Sequence, residues 1–101
     1  MSIKHEITAI IYDKRGRVLS VGKNSYIKTH TIQARHANAV GLPHKKFLHA
    51  EIDAIIKCRA IDKAHKIFIS RPTKTGYGLA KPCPICERAI KMAGIEIIEH
   101  T

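Results

Sequence analysis

The stretch Lys81-Pro82-Cys83-Pro84-Ile85-Cys86-Glu87-Arg88-Ala89-Ile90 restricts the chain more than any other. Proline has a fixed φ and no backbone N–H, so Pro84 suits a helix only in its first turn, where that N–H would have no partner. A helix is therefore expected to open at Cys83 and to end at Gly94. On it, Cys83 and Cys86 stand at i and i+3 and share one face. Two thiols so placed are a redox pair, half of a metal site or a chance spacing, and the rest of the sequence has to decide.

A second helix start answers the first. From His49 the segment HAEIDAIIKCRA puts Ile52, Ile55, Ile56 and Arg59 at helical spacing, with Ala50, Ala54 and Cys58 close to the same side. One helix start thus offers an imidazole and a carboxylate, and the other offers two thiols. If the two N-termini converge, His49, Cys83 and Cys86 supply the ligands of a tetrahedral zinc and leave one position open, as catalytic sites do. The partial positive charge of a helix N-terminus favours thiolate over thiol there. Glu51 would then carry protons and not bind the metal. The redox reading gives His49 and Glu51 no task, whereas a purely structural zinc stays an alternative. Taken alone, Glu51 is also what the helix dipole favours in a first turn.

Around these motifs the chain reads as a layered α/β domain. Ile7 to Asp13 is β-branched and apolar, Lys14 to Arg17 is a turn, and Val18 to Gly22 is the return strand of a hairpin. Thr31 is expected to cap a helix running to Gly41. Lys66 to Ser70 reads as a short buried strand, Arg71 to Lys81 as a loop or ragged strand, and Ile95 to His100 as a closing strand. The order β-β-α-α-β-α-β implies helices covering a mixed sheet of about four strands that begins with an antiparallel hairpin. Such a sheet leaves an edge, for which oligomerisation is a natural cover.

Composition bounds the rest. At 101 residues the chain is the size of one domain, 1–101. The N-terminus interrupts its apolar residues with Lys4, His5 and Glu6, unlike a secretion signal, and no apolar run is long enough to span a membrane. Three cysteines cannot all pair, which points to a reducing cytoplasm. Eighteen basic against eight acidic residues give a net charge of +10, which attracts a nucleotide or a nucleic acid equally. With 5% aromatic residues and no tryptophan, an extended stacking platform for single strands has few members.

His49-Ala50-Glu51 followed by Pro82-Cys83-Pro84-Ile85-Cys86 is the H-x-E and P-C-x-x-C pairing of zinc-dependent nucleobase deaminases. The chain resembles the cytidine and deoxycytidylate deaminase superfamily over nearly its whole length. HAEIDAI looks like the first metal helix of that family, PCPIC its second, and AGIEIIEHT the helix end and strand that follow. The resemblance implies a cytidine deaminase-like α/β/α sandwich and hydrolytic deamination of a cytosine nucleoside or nucleotide. Zinc would be the cofactor, held by His49, Cys83 and Cys86, with Glu51 as the proton carrier. It also implies homo-oligomers, a sugar contact at Asn24 in VGKNSY, and a place for Ala50 at the substrate. Relatives usually carry a fifth strand, and often a helix, after the strand that here ends at His100; these help set specificity and subunit packing.

Other expectations are weaker in their chemistry. Tyr77, in a glycine-flanked loop, can stack on a base. Lys45, Lys46, Arg71 and Lys74 precede the two metal helices and can rim a cleft or form a solvated basic face. His30 and His44 flank segments able to line a pocket, while His5, His36, His65 and His100 form no ligand pair. Cys58 reads as a packing residue. The competing functions are a deaminase of a base within RNA or single-stranded DNA, and a non-catalytic zinc-folded module that binds nucleic acid.

Overall fold

The computed structural model describes residues 6–45 and 47–101, so His5 and Lys46 lie outside the described residues. Strands β1 (Thr8–Tyr12) and β2 (Val18–Lys23) form the expected antiparallel hairpin, with Ile10 opposite Val21 and an irregularity between Ile11 and Tyr12. Asp13 builds the turn. Its Oδ1 accepts from the N–H groups of Arg15 and Arg17, each at 2.9 Å, and its Oδ2 from the Arg17 Nε at 2.9 Å.

Two helices follow, α1 (Thr31–Ala39) and α2 (Ala50–Lys57). The cap of α1 differs from expectation. His30, in extended conformation, accepts the Ile32 N–H on its Nδ1 at 3.1 Å, and Thr31 is already the first helical residue. After a 3₁₀ turn at Ile61–Lys63, β3 (Lys66–Thr73) pairs antiparallel with β1. Then β4 (Gly76–Gly78) folds back on the end of β3, α3 (Pro84–Met92) crosses over, and β5 (Ile97–His100) pairs parallel with β3.

Among the described residues the sheet therefore has five strands, the short β4 arising within the segment read as a loop or ragged strand. Gly76-Tyr77-Gly78 carries no apolar alternation to announce it. It becomes a strand because the extension of β3 through Arg71, Pro72 and Thr73 offers it an edge to pair with. Among the described residues, no helix is long and apolar enough to cross a membrane.

Strand alternation turns Ala9, Ile11, Ile67 and Ile69 to one face, where they are fully buried against Ala50, Ala54 and Cys58 of the α2 side and Ile90 of α3. Cys58 is thus the packing residue expected. A second cluster joins Ala37 of α1, Leu48, Ile52 of α2, and Ile85, Cys86 and Ala89 of α3. So α2 is apolar on two sides and is gripped between the sheet and the other helices. Contact with the sheet is close because Gly22 has no side chain: a Cβ there would collide with the Ala50 carbonyl oxygen and the Ala54 nitrogen. The Ser20 hydroxyl also donates to the Ala54 carbonyl at 2.6 Å.

Candidate metal centre

His49 and Cys83 occupy the same position on their helices, the residue just before the first turn, and both are extended (φ −85°, ψ 153° and φ −74°, ψ 168°). Neither side chain caps its own helix. Each instead projects past the helix end toward the other, while Cys86 reaches the same point from one turn inside α3. The His49 Nδ1 lies 3.2 Å from the Cys86 Sγ and 3.5 Å from the Cys83 Sγ. The ligand atoms of all three lie within 4.8 Å of one another.

That spacing fits a tetrahedral zinc. With Zn–S of about 2.3 Å and Zn–N of about 2.0–2.1 Å, tetrahedral angles put sulfur and nitrogen roughly 3.6 Å apart. The electrostatics agree. The Cys86 thiol, by hydrogen bonding to Cys83, holds the latter as a thiolate with its pKa lowered to about 3, against the cost of burial. Cys86 is pushed well above its ordinary value by the same neighbour and by burial. The hydrogen bond to Cys83 raises the His49 imidazole, against burial. Burial raises the Glu51 carboxyl, although the contact with Cys86 opposes it. The cluster is therefore short of positive charge, and a divalent cation supplies what lets both thiols ionise.

Glu51, 5% exposed, sits in the first turn of α2 beside this cluster. Above it opens a cavity of about 420 Å³, within the roughly 300–1,000 Å³ usual for small-molecule sites. Ile7, Tyr26, Phe47 and Leu48 give it apolar walls; Asn24, Lys45 and Lys81 add polar groups; His49, Glu51 and Cys83 form part of its lining. Ala50 also lines it. Asn24 is further tied to the residue before β1, its Oδ1 accepting from the Ile7 N–H at 2.9 Å.

The remaining expected residues divide. His44 and Lys45 line the cavity, but His30 is spent on capping α1. Tyr77 lies on β4, 72% exposed, and is not among the residues lining this cavity. Arg71 packs its guanidinium over Gly78, and Lys74 is exposed at the β3–β4 turn. Lys81 went unnoticed because, beside Pro82, it reads as one more surface cation. Gln33 also went unnoticed: it stands far from the motifs in sequence, yet it touches the segment leading to His49.

A family model described as the cytidine and deoxycytidylate deaminase zinc-binding region matches residues 2–99. No curated protein matches the chain. Among solved structures, a guanine deaminase from Bacillus subtilis superposes with a TM-score of 0.55 at 21% identity, over 94% of this chain. The chain spans 48% of that protein's length, and the likeness is one of fold.

Proposed function

We propose, for a chain that belongs to the cytidine and deoxycytidylate deaminase zinc-binding family, that it hydrolyses the exocyclic amine of a cytosine nucleoside or nucleotide, deoxycytidylate-like, to give the uracil product and ammonia. The observation that carries this reading is the meeting of His49, Cys83 and Cys86 with the buried Glu51 at one cavity. His49, Cys83 and Cys86 would hold zinc, which when bound lowers the pKa of water from about 15.7 to about 7.

The protein's own residues do the rest. Glu51 takes one proton of the attacking water and passes it to the ring nitrogen, then takes the other and passes it to the amine, which leaves as ammonia. One C–O bond forms and one C–N bond breaks. Ile7, Phe47 and Leu48 give the base apolar walls, with Ala50 also in the lining, and Asn24 is the residue we assign to the sugar. Lys45 and Lys81 place positive charge where a phosphate would lie, which favours a nucleotide. Free thiols at Cys58, Cys83 and Cys86 suit a reducing cytoplasm. The uniformly exposed β5 leaves a sheet edge that a second copy would cover.

A second reading has its own support. The +10 charge and the exposed Tyr26, Phe47 and Tyr77 suit a base presented within RNA or single-stranded DNA.

The test is ammonia release and product mass for zinc-loaded protein, with Glu51→Gln as control. Substrates are cytidine, deoxycytidine, CMP, dCMP, adenosine, guanine and an oligonucleotide pool. Conversion of a cytosine monomer is expected, with Glu51→Gln slower by about 10²–10⁴-fold and zinc content unchanged. Turnover of oligonucleotides alone, with binding that weakens steeply in salt, would move the assignment to polynucleotides. No turnover of any substrate with zinc bound would leave a non-catalytic module.

A further inference from the structure

Gln33 is fully buried on α1, and both ends of its amide are used. Its Nε2 donates to the Lys45 carbonyl at 3.1 Å, and its Oε1 accepts the His49 N–H at 3.2 Å. The orientation of the amide is forced, because a carbonyl can only accept and an N–H can only donate. One planar group therefore spans the segment from Lys45 to His49. Lys45, Phe47 and Leu48 in that segment form cavity wall, and His49 supplies the only nitrogen among the candidate ligand atoms.

The His49 N–H has no partner inside α2, since residues at a helix start have no carbonyl one turn behind them. Leu48, just before the ligand, is fixed from the other side. The Leu48 N–H donates to the Lys28 carbonyl at 2.9 Å, and the Ser25 N–H to the Leu48 carbonyl at 2.9 Å. Gln33 completes this clamp at the ligand itself. The backbone angles at His49 decide where its ring points, so the group that holds its N–H also sets the approach of Nδ1 to the two sulfurs. Groups outside the ligand set that orient ligands in this way typically change metal affinity by 10–100-fold.

We infer that Gln33 is a positioning residue that orients His49 for metal binding and holds Lys45, in the wall of the substrate cavity, in register with it. This rests on the metal-centre reading. Of two substitutes close to glutamine in shape, an ionised glutamate lacks the donor, and methionine lacks the donor and offers only a weakly accepting thioether.

The experiment compares wild-type protein with Gln33→Met, Gln33→Glu and a control, Ile67→Val, which thins the sheet core without removing a candidate ligand or a hydrogen bond of the clamp. Zinc affinity is measured by chelator competition, and the cobalt(II)-loaded protein is read by its visible absorption. Gln33→Met is expected to bind zinc about 10–100-fold more weakly, with altered cobalt bands. Gln33→Glu, which keeps the acceptor for His49, should fall between Gln33→Met and wild type. Ile67→Val should lose stability with zinc affinity and cobalt bands unchanged.

A folded Gln33→Met with wild-type affinity and spectrum overturns the inference while leaving the metal centre standing. If Gln33→Met does not fold, Gln33→Glu decides: the role is refuted by affinity and bands identical to wild type. Wild-type protein that binds neither zinc nor cobalt overturns the metal centre and this role together.

Discussion

Gly22→Ala adds a single methyl group and should do more damage than most larger changes. The new Cβ would lie 2.8 Å from the Ala54 Cα, and closer still to the Ala50 carbonyl oxygen and the Ala54 nitrogen, where 3.4–4 Å is ordinary contact. Relieving the longest of these clashes alone needs at least roughly 0.6 Å (3.4 − 2.8), and the obstacles are helix backbone, which cannot rotate away as a side chain can. Overpacking of this kind costs about 1–3 kcal/mol, and rigid neighbours put the change near the upper end. For a domain of this size, about 4–8 °C of melting temperature accompanies each kcal/mol, so a fall of roughly 12–24 °C is expected.

The same displacement reaches the site, since Ala50 and Glu51 form the first turn of α2. An error near 1 Å in such positions can cost about 10²-fold in rate. The assay is thermal unfolding by circular dichroism of the zinc-loaded protein, with deamination measured per folded molecule. Val21→Ala serves as the neighbour control: its side chain is 43% exposed on the opposite face of β2. A Gly22→Ala midpoint within about 3 °C of wild type would refute the close-approach argument. A large destabilisation with unchanged activity would refute the link from β2 to the site.

Two further outcomes follow from burial. Ile52→Ala, in the cluster shared by α1, α2 and α3, should lower stability by about 2–5 kcal/mol in urea unfolding, and less than 1 kcal/mol would mean that the cluster collapses to fill the space. His36 is buried between α1 and α3, accepting from Arg88 at 2.6 Å, and burial foremost, with Arg88 and Arg35, holds its pKa below the ordinary 6.5. The unfolded chain then binds more protons, so stability is full above pH 6.5 and declines as pH falls through the lowered folded value. His36→Gln, whose amide oxygen can still accept from Arg88, should flatten that decline in unfolding curves taken across pH, and an unchanged slope would assign the decline to other groups.

The chemistry of the site was legible because it is written in local rules. Pro84 can sit only near a helix start, His49 and Cys83 precede first turns, and Glu51 follows His49 by two residues whatever the fold does. The hairpin was legible for the same reason. What escaped depends on closure of the chain. Gln33 reaches Lys45 and His49 across 12 and 16 residues, and nothing in TIQARHANA marks it apart from other polar residues of a helix. His30 displaced Thr31 as the cap because its ring, on an extended backbone, reaches the Ile32 N–H. Tyr77 was drawn toward the base by its glycine neighbours, but those glycines serve a strand paired to β3.

The convergence of two helix starts is itself a packing result. Small residues stand where α2 meets the sheet, Ala50 and Ala54 over Gly22, and where α2 meets α3, with Ala89 in the cluster of Ile52 and Ile85. Bulky residues at these places would hold the helix axes apart, and the sulfur and nitrogen atoms would part with them. Small ones let both positive helix ends reach one point, where they stabilise thiolate and draw a cation's ligands together. The ligands come from residues 49, 83 and 86, and their registration depends on α1 through Gln33 and on β2 through Gly22. Metal affinity in this chain therefore depends on the contacts that register the two helix starts, and a substitution at Gln33 or Gly22 can weaken it without touching a ligand.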